Sequence, residues 1–120
     1  PTFMANPLAC AVANASLKLL LDSPWQQNVQ RIEQQLKREL EPAHHLNAVK
    51  DVRVKGAIGV IELHKAIDIQ WMQPRFVELG VWVRPFSTLV YVMPPYIMDS
   101  TDLSRLTAAM LTVVSEIKDA

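Results

Sequence analysis

The residue with the clearest chemical potential is Arg84, in Gly80-Val81-Trp82-Val83-Arg84-Pro85-Phe86. Pro85 has no backbone N–H, so a strand running through it must end or bulge beside the arginine. A guanidinium between two aromatic side chains at a broken strand edge suits bidentate capture of a carboxylate. The same spacing also fits an arginine on the solvent face of a strand. Tyr91, in Tyr91-Val92-Met93-Pro94-Pro95-Tyr96, lies across a short turn from Arg84. It either faces the guanidinium or packs as a core tyrosine with its hydroxyl at the rim. The rest of the inventory is thin. His44 and His45 are adjacent and project in different directions, and His64 is isolated, so all three read as solvated rather than metal-binding. Cys10 reads as a buried small hydrophobe. Gly56, Gly59 and Gly80 make no phosphate-cradling G-x-G-x-x-G loop, and no serine or cysteine triad has support.

The elements that must position these residues follow from periodicity. Asn6-Pro7 reads as an N-cap and first helical residue, with Leu8, Val12, Ala15 and Leu19 as one apolar stripe. Ser23-Pro24-Trp25-Gln26 reads as a capping box opening a second helix, with Trp25, Val29, Ile32 and Leu36 inward and Gln27, Gln30, Arg31, Gln34, Lys37 and Arg38 on the polar face; Pro42 stops it. From Val49 the period changes to two. Val52 and Val54 alternate with Asp51, Arg53 and Lys55, and 57–63 reads as a second strand. Ile69, Met72, Phe76 and Leu79 mark a third helix, ended by Gly80, that Pro74 should kink or delay. Two short strands, 81–86 and 89–93, follow. Asp99 then caps a last helix with Leu103, Leu106, Met110, Val113 and Ile117 inward. The order α-α-β-β-α-β-β-α predicts an α+β domain, with helices on one face of a small antiparallel or mixed sheet.

Composition is compatible with this reading. The chain has 120 residues, 50% hydrophobic and 20% charged, with twelve basic side chains balancing twelve acidic ones. That excludes disorder and argues against nucleic-acid binding, which needs clustered cations. A single cysteine precludes an internal disulfide and fits a reducing, cytoplasmic setting. No apolar run approaches the roughly 18 residues of a membrane span, and no basic-then-apolar leader is present. The chain opens Pro1-Thr2-Phe3-Met4 without an initiator methionine, so it is expected to be processed or a piece of something larger.

Pro1-Thr2-Phe3-Met4-Ala5-Asn6-Pro7-Leu8-Ala9-Cys10-Ala11 resembles the G-P-T-F-x-G-N-P-L-A-C-A segment of class III, pyridoxal-phosphate-dependent aminotransferases. Residues 51–62, Asp51-Val52-Arg53-Val54-Lys55-Gly56 onward, resemble that family's V-R-x-x-G-x-x-G-x-x-E stretch. Residues 80–86 and 89–96 are similar to the branch of the family that serves biotin synthesis. The resemblance spans almost the whole chain. It implies the C-terminal part of a fold-type I aminotransferase, with 1–22 as a linking helix and 23–120 as the small domain. It implies that Thr2, with Pro1, binds the cofactor phosphate of the neighbouring subunit of a homodimer. Arg84 would hold the substrate carboxylate, and Tyr91 would line the same pocket. The activity implied is transfer of an amino group from S-adenosylmethionine to 8-amino-7-oxononanoate, giving 7,8-diaminononanoate. Ala5 stands where the family commonly has glycine, and Pro74 has no place in the pattern. The reaction also needs a Schiff-base lysine and an acidic partner for the pyridine nitrogen. Lys18, Lys37, Lys50, Lys55, Lys65 and Lys118 lie on polar faces or in turns outside the family's lysine motif, so the chain alone is expected to be inactive. The residues leave two other readings open: a stand-alone α+β module that binds small carboxylates or dimerises, and a related enzyme with another amine donor.

Overall fold

A computed structural model of the chain describes residues 4–117. The first helix, α1 (Pro7–Leu21), starts as expected: Asn6 Oδ1 accepts from the Ala9 N–H at 3.0 Å, and Pro7 opens the first turn. Ala5 ahead of it takes φ +57°. In this left-handed region a Cβ costs about 1–2 kcal/mol and glycine costs little. The apolar stripe of α1 is present but uncovered: none of its residues is buried, and Leu8, Val12 and Leu19 are 74%, 60% and 73% exposed. Cys10 is accordingly exposed, against the expectation of a buried thiol, because among the described residues no element packs over its turn of helix.

Helix α2 (Trp25–Leu40) begins differently from the capping-box expectation. The Ser23 hydroxyl donates back to the Leu20 carbonyl at 2.8 Å, closing α1, and Pro24 takes the N-cap position without a side-chain cap. The Ser23 amide also donates to that carbonyl, at 3.1 Å, so the hydroxyl takes its second lone pair rather than capping α2. Helix α2 stops at Leu40, and Pro42 opens a one-turn 3₁₀ segment, Glu41–His45, with His44 and His45 exposed.

The sheet has three antiparallel strands in the order β1 (Val49–Lys55), β2 (Ile58–Leu63), β3 (Leu89–Val92). A bulge at Lys50 lets Val49 pair with Leu63 while Asp51 pairs with Glu62. The extra residue returns Val49 to the same face as Val52 and Val54, although three positions separate the first two. Buried Gly59, Ile61 and Leu63 of β2 and buried Val90 and Val92 of β3 share that face. Helix α2 lies across it, with Ile32, Leu36 and Leu40 fully buried. At Gly59 a Cβ would meet Leu40 Cδ1 at 2.9 Å and Leu36 Cδ2 at 3.3 Å, so glycine sets the closeness of helix to sheet.

Helix α3 (Ile69–Glu78) is capped by Asp68, which accepts from the Gln70 and Trp71 amides, and contributes buried Met72 and Phe76. Pro74 is exposed in mid-helix and does not delay its start. Gly80, at φ +76°, terminates it: the Gly80 N–H bonds the Val77 carbonyl at 2.9 Å and the Val81 N–H bonds the Phe76 carbonyl at 3.0 Å. Helix α4 (Ser100–Ser115) is capped by Asp99, accepting from the Asp102 N–H at 2.8 Å, and buries Leu103, Met110 and Val113 as its periodicity predicts. Helices on one face of an antiparallel sheet confirm the α+β class. The exception is 81–86, where the expected fourth strand pairs only at Phe86 with Leu89.

Two glycines give a ranked test. Gly59→Ala should destabilise by about 1–3 kcal/mol through overpacking against Leu36 and Leu40. Gly80→Ala, with open space around its Cβ, should cost about 1–2 kcal/mol from backbone strain alone. In urea titration, a Gly59→Ala midpoint at the wild-type value would refute the close approach of α2.

Candidate functional site: a groove at an unclosed hairpin

Phe86 and Leu89 exchange both backbone hydrogen bonds, at 2.9 and 2.8 Å, around the two-residue turn Ser87-Thr88. Ser87 takes φ +53°, and the turn is pinned from outside: its carbonyls accept from the Ile67 N–H at 2.9 Å and the Leu63 N–H at 2.8 Å. Continuing the register of Phe86 and Leu89 would set Arg84 opposite Tyr91. The ladder does not continue. Phe86 and Leu89 are a hydrogen-bonded pair, so Pro85 falls at the non-hydrogen-bonded position opposite Val90, and its missing N–H removes no bond to β3. The next bonding pair, Arg84 with Tyr91, does not form. The two arms therefore separate just beyond the turn.

The gap is a groove of about 490 Å³, with Val81, Trp82, Val83 and Arg84 on one arm and Tyr91 to Pro95 on the other. Met98 and the first turns of α4 close it with Asp102, Arg105 and Leu106. The structure thus brings the two expected site residues into one groove. Both are exposed: Arg84 reaches solvent beside Trp82, and Tyr91 points from the sheet face opposite the core. Among the described residues Arg84 has no hydrogen-bond or ion-pair partner, whereas Arg105 and Asp102 approach each other at 3.8 Å. A free guanidinium over an apolar lining can seat a carboxylate carried on an aliphatic stem.

A larger cavity, about 650 Å³, lies elsewhere, between Leu63, Ile67, Trp71, Met72 and Ile117. It contains none of the expected site residues; Lys65 and the isolated His64 are in its lining. Among the described residues, no three or more His, Cys, Asp and Glu side chains gather into a metal-binding group. Pro1, Thr2 and Lys118 lie outside the described residues. Of the described lysines none lines the Arg84 groove; Lys37 pairs with Glu33 and Lys50 with Glu62, each at 2.7 Å. The groove therefore does not supply the amine that a pyridoxal cofactor requires, and its residues do not by themselves fit that group.

Residue-by-residue reading missed one set of polar contacts beside the groove. Glu39 on α2 accepts from Thr107 Oγ1 at 2.6 Å, Ser104 Oγ at 2.8 Å and Gln35 Nε2 at 3.0 Å. Burial pushes the Glu39 carboxyl up, but these three donors and nearby Arg38 outweigh it and hold it below its usual value. The available signal was spacing: Arg31, Gln35 and Glu39 recur every four residues.

The α+β fold is shared with solved aminotransferase structures. It belongs to the class-III aminotransferase family, which matches residues 1–114. It is 48% identical over 114 residues to adenosylmethionine-8-amino-7-oxononanoate aminotransferase of Corynebacterium glutamicum, covering 95% of this chain and 27% of the relative. The Saccharomyces cerevisiae enzyme of that name is 42% identical over 125 residues, covering 98% of this chain and 26% of its own length. The crystal structure of the Methanocaldococcus jannaschii enzyme of that name matches with a TM-score of 0.81 at 24% identity, over 92% of this chain and 28% of that one. At that identity the likeness supports the fold. The chain thus spans about a quarter of the length of the curated relatives it matches.

The lowered Glu39 titration fixes a sign. Its stabilisation is fully present above the unfolded value near 4.5 and is lost as pH falls through the depressed folded value. Glu39→Gln should cost about 1–3 kcal/mol at pH 7. The gap to wild type should narrow below about pH 4. Urea midpoints that stay equally far apart at pH 7 and pH 3 would contradict this.

Proposed function

We propose that this chain is the C-terminal quarter of a transaminase of biotin synthesis and supplies its substrate-carboxylate groove. The parent would transfer an amino group from S-adenosylmethionine to 8-amino-7-oxononanoate, giving 7,8-diaminononanoate. The observation that carries the reading is the unpartnered Arg84 guanidinium in an apolar groove shared with Tyr91. It occurs in a chain with strong identity to relatives whose name contains both substrates. In this reading Arg84 holds the acceptor carboxylate, and Tyr91 lines the pocket.

Residues 1–22 are proposed as a linking helix and 23–120 as the small domain, a division supported by the absence of any buried residue in α1. Thr2, with Pro1, is proposed to bind the cofactor phosphate of the neighbouring subunit of a homodimer, an assignment that rests on the family motif. Class III aminotransferases use pyridoxal phosphate. The lysine that carries it is proposed to lie in the rest of the parent, since no described lysine reaches the groove. A cytoplasmic location is favoured by the exposed free thiol of Cys10, which suits a reducing compartment.

Two outcomes are expected. In the full-length parent, Arg84→Ala should lower kcat/KM for the carboxylated acceptor by about 2–4 kcal/mol; unchanged efficiency would remove Arg84 from the site. The 120-residue chain mixed with pyridoxal phosphate should show no transaminase activity and no new visible absorbance band. A band abolished by substituting one lysine would overturn the assignment of the cofactor lysine to the rest of the parent.

A further inference from the structure

The two walls of the Arg84 groove are held by different means. One, 80–84, is fixed at both ends, by the hydrogen-bonded terminus of α3 at Gly80 and by the Phe86–Leu89 turn. The other leaves the sheet where β3 ends at Val92, then runs through Pro94 and Pro95 to Met98 before α4 begins. Its last carbonyl is tied to the body of the protein by α2. Arg31 Nη2 donates to the Met98 carbonyl at 2.6 Å, and Nη1 reaches Ser100 Oγ at 3.4 Å. One and two turns further along the same face, Gln35 donates to the Ser100 carbonyl at 2.8 Å and Glu39 receives the Ser104 and Thr107 hydroxyls.

Arg31 is outside the groove lining, but what it holds is inside: Met98 lines the groove, and the turns of α4 that follow Ser100 present Asp102, Arg105 and Leu106 to it. A short bond from a guanidinium to a carbonyl is of the stronger, charge-assisted kind. The planar fork adds a longer contact, to the Ser100 hydroxyl, with little further ordering. We propose that Arg31 is a positioning residue that sets the Met93–Met98 wall of the groove and so the affinity for the carboxylated acceptor. The inference rests on the reading of the groove given above. Sequence pattern alone puts Arg31 on the solvated face of α2; the structure half-buries it.

The test uses the full-length holoenzyme with 8-amino-7-oxononanoate as the varied substrate. Arg31→Met keeps the aliphatic stem and removes both donors. It should raise KM for the acceptor about tenfold, because a wall displaced by a fraction of an ångström misplaces the bound carboxylate. kcat and KM for S-adenosylmethionine should stay within about twofold. Arg31→Lys, which keeps the charge and one donor, should recover most of the loss, leaving about a threefold rise. Lys37→Met, on the same helix but away from α4, should leave all constants unchanged. Acceptor KM within twofold of wild type in Arg31→Met would overturn the proposal. So would a common fall in kcat and both affinities accompanying lost thermal stability. If Arg31→Met does not accumulate as holoenzyme, Arg31→Lys decides alone, and an unchanged acceptor KM refutes it. Hydrogen exchange at the Tyr96, Ile97 and Met98 amides supplies a readout independent of turnover. Faster exchange in Arg31→Met supports the tether, and unchanged exchange overturns it. A wild-type parent that does not turn over the acceptor, or kinetics indifferent to Arg84→Ala, would sink the reading of the groove while the exchange result still judges the tether.

Discussion

Helix α2 approaches the sheet as closely as the missing Cβ of Gly59 allows, and the rest of the molecule is arranged around that contact. Leu36 and Leu40 lie over the glycine and are fully buried. Each such side chain contributes about 1.5–3 kcal/mol by leaving water. Once α2 is seated at that depth, its adjoining face meets α4 rather than solvent. Gln35, Glu39, Ser104 and Thr107 then complete a polar contact with no buried side-chain nitrogen or oxygen left unsatisfied among the described residues. The position of α4 fixes where Asp102, Arg105 and Leu106 stand. A backbone approach in the sheet therefore propagates, through two helix faces, to one side of a groove on the opposite edge.

The charges around that groove contrast with charges elsewhere. Glu62 on the outer sheet face accepts from both Lys50 and Arg53, which hold its carboxyl below the usual range. Arg75 forks onto Glu116 at 2.7 and 2.8 Å and also pairs with Glu78. These compensated clusters sit on regular elements, where neighbouring positions recur at fixed spacing. Arg84 sits on an arm that leaves the ladder beyond the Phe86–Leu89 pair. An exposed arginine gains little stability from a partner, median surface pairs being worth about 0–1 kcal/mol. Folding therefore exerts little demand that Arg84 be paired, and its charge remains available to a ligand.

Much of this was legible in the sequence. The Asn6 and Asp99 caps, the Gly80 terminus and the stripes of α2 and α4 all follow from local chemistry, and the structure realises them. Arg84 and Tyr91 do line one groove, as the short turn between them allows. What escaped was set by contacts distant in sequence. A strand over 81–86 was expected, yet beyond the Phe86–Leu89 pair this arm makes no ladder bond to β3, although Pro85 stands where its missing N–H would have pointed away from that strand. The Lys50 bulge shifts Val49 by one position, which no period-two count detects. Arg31, Gln35 and Glu39 read as a solvated helix face because polar residues at helical spacing usually are one. Their partners on α4 lie 65 to 69 residues away. Ser23 and Cys10 differ from expectation for a local and a global reason respectively: a competing acceptor at Leu20, and the lack among the described residues of an element packed over α1.

The uncovered helix and the amine-free groove can be weighed together. Helix α1 carries one charged residue, Lys18, and exposes leucine at positions 8, 17, 19 and 21. A helix apolar over most of its circumference is stable when packed on more than one side. The core formed by α2, the sheet, α3 and α4 is complete without it, so α1 specifies contacts that the described residues do not make. The lysines tell the same story in chemical terms. A nucleophilic amine is activated by an apolar setting or a neighbouring cation. Lys37 and Lys50 instead have side chains 59% and 57% exposed, and they are ion-paired to carboxylates. Neither could be recruited to the groove without breaking its pair and crossing solvent. Recognition of a carboxylate and formation of a covalent bond to an amine make opposite demands, a solvent-reachable guanidinium against a desolvated lysine.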